Sequence, residues 1–367
     1  VRPIVIAAGG TGGHFFPAEA LAAELLARGH RIVLMTDGRS GALQSPVFAG
    51  HEHHVLQGAG IAGRGLSRGV QAGLALAAGT LQARRLLKDL DAAAIIGFGG
   101  YPCVPPVLAA RSLRRRPLIV LHEQNAVLGR ANRVLSRFAD LLALGFAETA
   151  RVPPDILTQN TGNPVRPAIR AVSATVYVPP QEKIELLVLG GSLGARIFSD
   201  VVPEALALLP ADLRARLHVV QQCRLEDLVR VRAAYKAAAI EADLSPFFTG
   251  VAEKLAAAHI IIARAGASTC AEIAVVGIPS ILVPLPGAID DHQAANACAL
   301  ADSGAATVIG QQEFSAAKLA GLLSQQLGDA DGLLRAAAAA KSCARPDAAA
   351  DLASAVENLL ADAEALP

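Results

Sequence analysis

The chain has 367 residues, a formal charge of +1 and 53% hydrophobic residues, many of them alanine. That length suits two domains of ordinary size, each with a sizeable core, and no apolar run reaches the ~18 residues of a membrane-spanning helix. Five scattered cysteines (103, 223, 270, 298 and 343) show no CxxC or zinc-ligand spacing and read as reduced thiols of a cytosolic protein.

The small net charge hides an asymmetry. Residues 1–160 carry 17 Lys and Arg against 10 Asp and Glu, while residues 161–367 carry 16 against 22. A basic half beside an acidic half predicts different partners for each. The apolar run Ile4–Ile6 leads directly into "AAGGTGGHFFPAEALAAELLARGH", so no signal peptide is expected. Strands are predicted over 3–8, 31–36, 53–56, 93–97, 117–121 and 140–144, alternating with Ala/Leu-rich helical stretches. That alternation predicts a parallel sheet covered on both faces. Phe16, Ala20, Ala23 and Ala27 follow helical spacing after the first strand, and Gly29 sits where a helix C-terminus wants positive φ.

Between the third and fourth strands, residues 64–88 mix Val70, Leu74 and Leu76 with Arg64, Arg68, Arg84, Arg85 and Lys88. Arg111, Arg114, Arg115 and Arg116 form a second basic run. A surface that meets anionic lipid and a core helix with a solvated basic face both fit that pattern. The strand at 117–121 ends in His122, Glu123, Gln124 and Asn125, polar groups at the edge where open α/β sheets bind ligands. Turn and N-cap chemistry fits Asn125 nearly as well.

"GNPVRPAI" (162–169) and "YVPPQEK" (177–183) read as a hinge and linker, after which the pattern restarts. "IELLVLGGSLGARIFSD" (184–200) is again strand, glycine turn and helix, and further strands are predicted at 216–221, 246–249, 259–263, 279–283 and 305–308. A last helix, roughly 347–364, could pack on either half. The expected domains are 1–165 and 166–345.

Three glycine turns follow apolar strands: Gly9–Gly13, Gly97–Gly100 with Tyr101, and Gly190–Gly194 with Ser192. Bare backbone before a helix N-terminus lets an anion approach unpaired N–H groups, so at least two are expected to bind anions. A nicotinamide-binding G-x-G-x-x-G fingerprint fails. Phe15 stands where the last glycine is needed, and Ser192 and Ala195 interrupt the second turn, although Asp37 is placed for the ribose acid. Within "IIARAGASTCAEIAVVGIPSILVPLP" (261–286), Glu272 could accept both hydroxyls of a ribose or close a capping box with Ser268 or Thr269. Asp290, Asp291, His292 and Gln293 precede another predicted helix, where the two acids also suit the helix dipole. His14 is the one imidazole inside an anion-binding turn and could take a proton in a transition state.

Taken in order, "GGTGGHFFPA", "GFGGYP", "LHEQNAVLGRANR", "GNPVR", "GGSLGAR" and "RAGASTCAEIA…GIPSILVPLP" resemble the MurG-type N-acetylglucosamine transferases, from about Ile4 to Pro286 and more weakly beyond. The resemblance implies an α/β chain of two Rossmann-like, doubly wound domains facing across a cleft, the glycosyltransferase B fold. It implies inverting transfer of N-acetylglucosamine from UDP-GlcNAc to the 4-hydroxyl of the muramyl sugar of lipid I, giving lipid II and UDP. No metal or other cofactor is implied. The implied partners are UDP-GlcNAc, lipid I, an anionic membrane surface and other cell-wall synthesis proteins, with no nucleic acid. The implied place is the cytoplasmic face of the inner membrane, held peripherally.

Carried over residue by residue, the family's roles give the second half the donor. Glu272 would bind the ribose, Val251 would offer backbone groups to uracil, and Ser192 with Arg166 would hold the diphosphate. Ala267, Ser268, Thr269, His292 and Gln293 would line the sugar pocket, with Asn125, Thr11, Gly12 and Gly13 meeting the donor from the first half. Gly10, Gly13, Gly99, Gly100 and Tyr101 would face the acceptor, and His14 would be the general base. The family often has Gln-Gln where this chain has His292-Gln293, a departure at the sugar contact. Two rival readings keep most of these features: a related transferase with another lipid acceptor, and an inactive sugar-nucleotide binder acting as a scaffold.

Overall fold

The computed structural model describes residues 2–9, 12–37, 45–56, 66–191 and 194–365, with only the helical backbone described at 66–70. The chain divides into two compact units, one of residues 1–166 with 347–367, the other of residues 167–346.

Unit 1 is built on seven strands: β1 (Ile4–Ala7), β2 (Ile32–Thr36), β3 (His53–Val55), β4 (Ala94–Gly97), β5 (Leu118–Glu123), β6 (Leu141–Leu144) and β7 (Thr158–Asn160). Every pair is parallel, in the order β3-β2-β1-β4-β5-β6-β7. The connections include α1 (Gly12–Ala27), α2 (Leu66–Leu90), α3 (Val104–Arg111) and α4 (Arg130–Leu135). The inner strands are apolar along their whole length because both faces are covered, which is why they read as unbroken runs such as Ile-Val-Ile-Ala. On one face Ile4, Ile6, Ile96 and Val120 pack against Phe15, Ala18, Leu21 and Leu25 of α1. On the other, Val5, Ile95 and Ile119 pack against Ala83 and Leu87 of α2 and Val107 of α3.

Unit 2 repeats the plan with six strands: β8 (Ile184–Leu189), β9 (Leu217–Gln222), β10 (Glu241–Ser245), β11 (Ile260–Ala263), β12 (Ser280–Leu282) and β13 (Ala306–Val308). They are again parallel, in the order β10-β9-β8-β11-β12-β13. Its helices are α5 (Pro167–Ala171), α6 (Arg196–Ala207), α7 (Ala211–Arg216), α8 (Leu228–Ala237), α9 (Val251–Ala257), α10 (Ala267–Val276), α11 (His292–Ala301), α12 (Ala316–Leu327) and α13 (Ala330–Ser342). The linker at 177–183 is tied to this unit by the Tyr177 hydroxyl, which donates to the His259 carbonyl at 2.8 Å.

The chain ends in α14 (Ala348–Ala365), which returns to unit 1. Leu352, Ala353 and Val356 join the α1 face of its core. Arg28 at the end of α1 donates to Glu357 Oε2 at 2.6 Å, Ser354 Oγ at 3.0 Å and the Ala350 carbonyl at 3.0 Å. So the terminal helix packs on the first half.

One expectation needs correction. The strand predicted at 246–249 is absent; the strand lies earlier, at β10, and Phe247 is largely exposed. β10 and β7 are sheet edges with polar side chains, and edge strands lack the apolar signature of covered ones. α1 forms where the helical spacing of Phe16, Ala20, Ala23 and Ala27 put it, with Ala20 buried and Phe16 packed against the core beside Phe15, Ala18, Leu21 and Leu25.

Candidate active site

In both sheets strand order reverses beside the first strand of the unit, between β1 and β4 in unit 1 and between β8 and β11 in unit 2. Adjacent connections there leave in opposite directions and open a crevice at the strands' carboxyl ends. The predicted turns follow three of these four strands, β1, β4 and β8. Gly10, Thr11 and Ser192 lie outside the described residues.

In unit 1, β1 ends against Gly9, where an added Cβ would stand 2.8 Å from Asp37 Oδ1 and 3.0 Å from Pro102 Cγ. Asp37 is buried there against the turn. Gly12, Gly13 and His14 then form the first turn of α1. After β4, Gly99 and Gly100 adopt φ of 80° and 70°, which a side chain would strain. The His14 ring packs over them: Nε2 lies 3.7 Å and Cε1 3.6 Å from the positions that Cβ atoms of Gly100 and Gly99 would take. Tyr101 is 71% exposed, so its ring is open to a ligand.

The polar run after β5 is mostly scaffold. His122, Glu123 and Gln124 are buried. Glu123 Oε1 accepts from the Asn125 amide and from Asn125 Nδ2, and Oε2 accepts from the Gly129 amide and from Asn132 Nδ2, all within 2.9–3.1 Å. Four donors on one carboxylate hold the loop that carries Asn125. His122 Nε2 lies 3.0 Å from the Gly162 carbonyl, and burial pushes its pKa down to about 4. His14 Nδ1 meets Gln124 Oε1 at 2.9 Å. Arg166, the last residue of unit 1 before the chain crosses to unit 2, stacks its guanidinium 5.0 Å above the Phe16 ring on α1.

Cys103 was not singled out as a site residue, yet its thiol lies 2.9 Å from the Ala7 carbonyl and 3.0 Å from the Gly99 carbonyl and shares its one hydrogen between them. It therefore ties the end of β1 to the second glycine turn. Burial pushes the thiol up to about 12, so it stays a donor. Nothing in the sequence marks this role, which depends on two strands that are neighbours only in the sheet.

In unit 2, Gly191 and Gly194 have φ of 83° and 67°. A Cβ on Gly190 would fall 2.3 Å from the Ala195 amide nitrogen, so the turn before α6 closes only around glycine there. Gln222, also not foreseen, accepts from the Gly190 amide at 3.0 Å and donates to the Gly191 carbonyl at 2.8 Å. Val251 is the first residue of α9, preceded by Gly250 in the left-handed region.

α10 begins after Gly266 and ends at the left-handed Gly277. Gly266 is the N-cap, so Thr269 occupies the third helical position and Glu272 lies beyond the capping box. The capping role for Glu272 is thereby excluded. Ser268 and Glu272 stand four residues apart and share a helix face. Glu272 is buried, and Ser268 Oγ is buried with no hydrogen-bond partner among the described residues. Ala267, also buried, and Thr269 complete the first turn. Asn296, buried on α11, donates to the Ala265 carbonyl at 3.1 Å and braces the turn before α10.

Asp290 and Asp291 both adopt φ near 55°, a strained pair immediately before α11. His292 Nδ1 donates to the Ile289 carbonyl at 2.7 Å, and Gln293 Oε1 accepts from the Leu285 amide at 2.9 Å. One face of each side chain is thus spent on holding the 285–292 loop.

The sequence relatives agree with this arrangement. Residues 4–143 match the glycosyltransferase family 28 N-terminal domain and residues 185–352 the family 28 C-terminal domain. The chain is 58% identical over 366 residues, 99% of its length and 95% of the relative's, to a Granulibacter bethesdensis protein. That relative is named UDP-N-acetylglucosamine–N-acetylmuramyl-(pentapeptide) pyrophosphoryl-undecaprenol N-acetylglucosamine transferase. A Gluconobacter oxydans protein of the same name is 54% identical, covering 98% of this chain and 99% of the relative. The crystal structure of Acinetobacter baumannii MurG is similar over 98% of this chain and all of that one, with a TM-score of 0.79 and 30% identity. With two doubly wound units, each bearing a glycine turn at its switch point, and with relatives matching along its whole length, the chain belongs to glycosyltransferase family 28, among the N-acetylglucosamine transferases of the MurG type.

Proposed function

We propose that the protein transfers N-acetylglucosamine from UDP-GlcNAc to the 4-hydroxyl of the muramyl sugar of lipid I, with inversion, giving lipid II and UDP. The observation that carries this reading is the seating of His14 over the Gly99–Gly100 turn at the switch point of the first sheet. A base poised beside backbone amides suits a hydroxyl nucleophile borne on a diphosphate-linked sugar. His14 Nε2 takes the hydroxyl proton as the new carbon–oxygen bond forms at the anomeric carbon. The sugar–phosphate bond breaks on the opposite face, and its electron pair leaves with UDP.

In this reading residues 1–165 hold the acceptor through Gly10, Gly13, Gly99, Gly100 and Tyr101. Residues 166–345 hold the donor. Glu272 accepts the ribose hydroxyls, and the orphaned Ser268 Oγ one turn earlier gains a partner from the ligand. Val251 offers backbone groups to uracil. Ala267, Thr269, His292 and Gln293 line the sugar pocket, while Asn125, Thr11, Gly12 and Gly13 meet the donor from the first unit. Ser192 and the amides within Gly191–Gly194 receive the leaving diphosphate, with Arg166 adding a cation.

The acceptor is a lipid, and we propose that unit 1 meets an anionic membrane at the cytoplasmic face of the inner membrane. Among the described residues no helix is long and apolar enough to cross a membrane. Leu74 and Leu81, seven residues apart on α2 and therefore on one stripe, are 67% and 60% exposed. Exposed Arg84, Arg85 and Lys88 adjoin them. Arg64 and the side chains of Arg68 and Val70 lie outside what is described, and Arg115 and Arg116 pair with Asp91 and Asp140. The stripe on α2 thus carries the lipid reading better than the second basic run. The test of the function is product formation from labelled UDP-GlcNAc with lipid I or diacylglycerol as acceptor. Label transferred to lipid I alone supports the reading; transfer to diacylglycerol alone, or to neither, overturns it.

A further inference from the structure

We infer that Gln124 is a positioning residue that fixes the tautomer of His14 and so leaves Nε2 as the basic nitrogen. The inference rests on His14 serving as the base and adds how the chain makes it one. Neutral imidazole has one donor and one acceptor nitrogen, and the neighbours decide which nitrogen takes which role.

Every proton in the chain of bonds is assigned by its far end. The Gly162 carbonyl can only accept, so His122 donates to it from Nε2 at 3.0 Å. Neutral His122, kept so by its burial, then offers Nδ1 as an acceptor. Gln124 Nε2 lies 3.2 Å from that nitrogen, 3.0 Å from the Phe98 carbonyl and 3.3 Å from the His122 carbonyl, all acceptors. The side-chain nitrogen of Gln124 must face them, which turns Oε1 toward His14. Oε1 can only accept, so His14 Nδ1 carries the proton across their 2.9 Å contact. The lone pair of neutral His14 is therefore on Nε2, the nitrogen beside Gly100.

The anchor is firm because Gln124 and His122 are almost wholly buried, and turning the amide over would place its oxygen against three acceptors. The network also explains why a strand end rich in polar groups points two of them inward. Gln124 touches no substrate in this account; it acts through His14.

The test is nitrogen–proton correlation NMR of the full-length protein with labelled histidine, followed over pH. In wild type, neutral His14 is expected as the Nδ1–H tautomer; a dominant Nε2–H form overturns the inference. In Gln124→Met, which keeps the shape and removes the acceptor, the Nε2–H form should gain and kcat should fall about 10- to 100-fold. KM for UDP-GlcNAc should hold. Wild-type kcat in Gln124→Met, with His14→Ala inactive, sinks the inference and spares the base. Full turnover in His14→Ala sinks the base itself, while the wild-type spectrum still reports the tautomer.

Discussion

Gln222 at the end of β9 holds Gly190 at the end of β8, accepting from its amide at 3.0 Å while the same side chain donates to Gly191. The two residues sit on neighbouring strands of the sheet but 32 residues apart in sequence. This clamp shapes the turn proposed to receive the donor diphosphate. Gln222→Ala should cost about 1–2 kcal/mol of stability, since the Gly190 amide and the Gly191 and Pro246 carbonyls lose a partner. It should also weaken UDP binding. Chemical unfolding and calorimetry measure the two effects, and unchanged UDP affinity would detach the turn from the donor.

Glu272 is excluded from capping by its position on α10, so removing it tests the proposed ribose contact. Glu272→Ala should weaken UDP about 10- to 100-fold, as expected for one or two charge-assisted hydrogen bonds. Calorimetry with UDP and with free uracil separates the ribose contact from base recognition. Equal loss for both would contradict the assignment.

The α14 clamp predicts a pH dependence. Hydrogen bonds from His30 and then Arg28 hold the Glu357 carboxyl below its ordinary 4.5, against an opposing push from burial. A lowered folded-state value means the stabilisation is present above 4.5 and is lost as pH falls through the depressed value. Glu357→Gln should therefore destabilise the protein by about 1 kcal/mol near neutral pH, as for a partly exposed ion pair. The gap between variant and wild type should close in acid. Thermal scans near neutral pH and in acid below the ordinary carboxylate range measure it, and a gap that did not shrink would assign the loss to packing.

Leu74 and Leu81 present the exposed stripe proposed to face lipid. Replacing both with Asp should lower partitioning onto cardiolipin vesicles at least about tenfold, by removing apolar contact and adding like charge. UDP affinity should stay the same. Flotation equal to wild type would leave α2 as an ordinary surface helix.

Much of this architecture was legible in the sequence because covered parallel strands write themselves as short apolar runs, and glycine marks the turns at their ends. β1, β4, β8 and β11 all fell within a residue or two of expectation. The edge strands β7 and β10 did not, since polar side chains suit an edge and carry no apolar period. Within the site, His14, Glu272 and the glycine turns stood out by position. Gln222, Cys103 and the inward turn of Gln124 did not, because each depends on a neighbour supplied by the sheet rather than by the chain. The polar run His122–Asn125 read as ligand-facing, and most of it serves as the frame behind the histidine.

The central claim is that His14 takes the acceptor proton, and the single-turnover rate of His14→Ala with saturating UDP-GlcNAc and lipid I tests it most directly. The account predicts a fall of about 10²-fold or more with UDP affinity preserved. Turnover at the wild-type rate would contradict it.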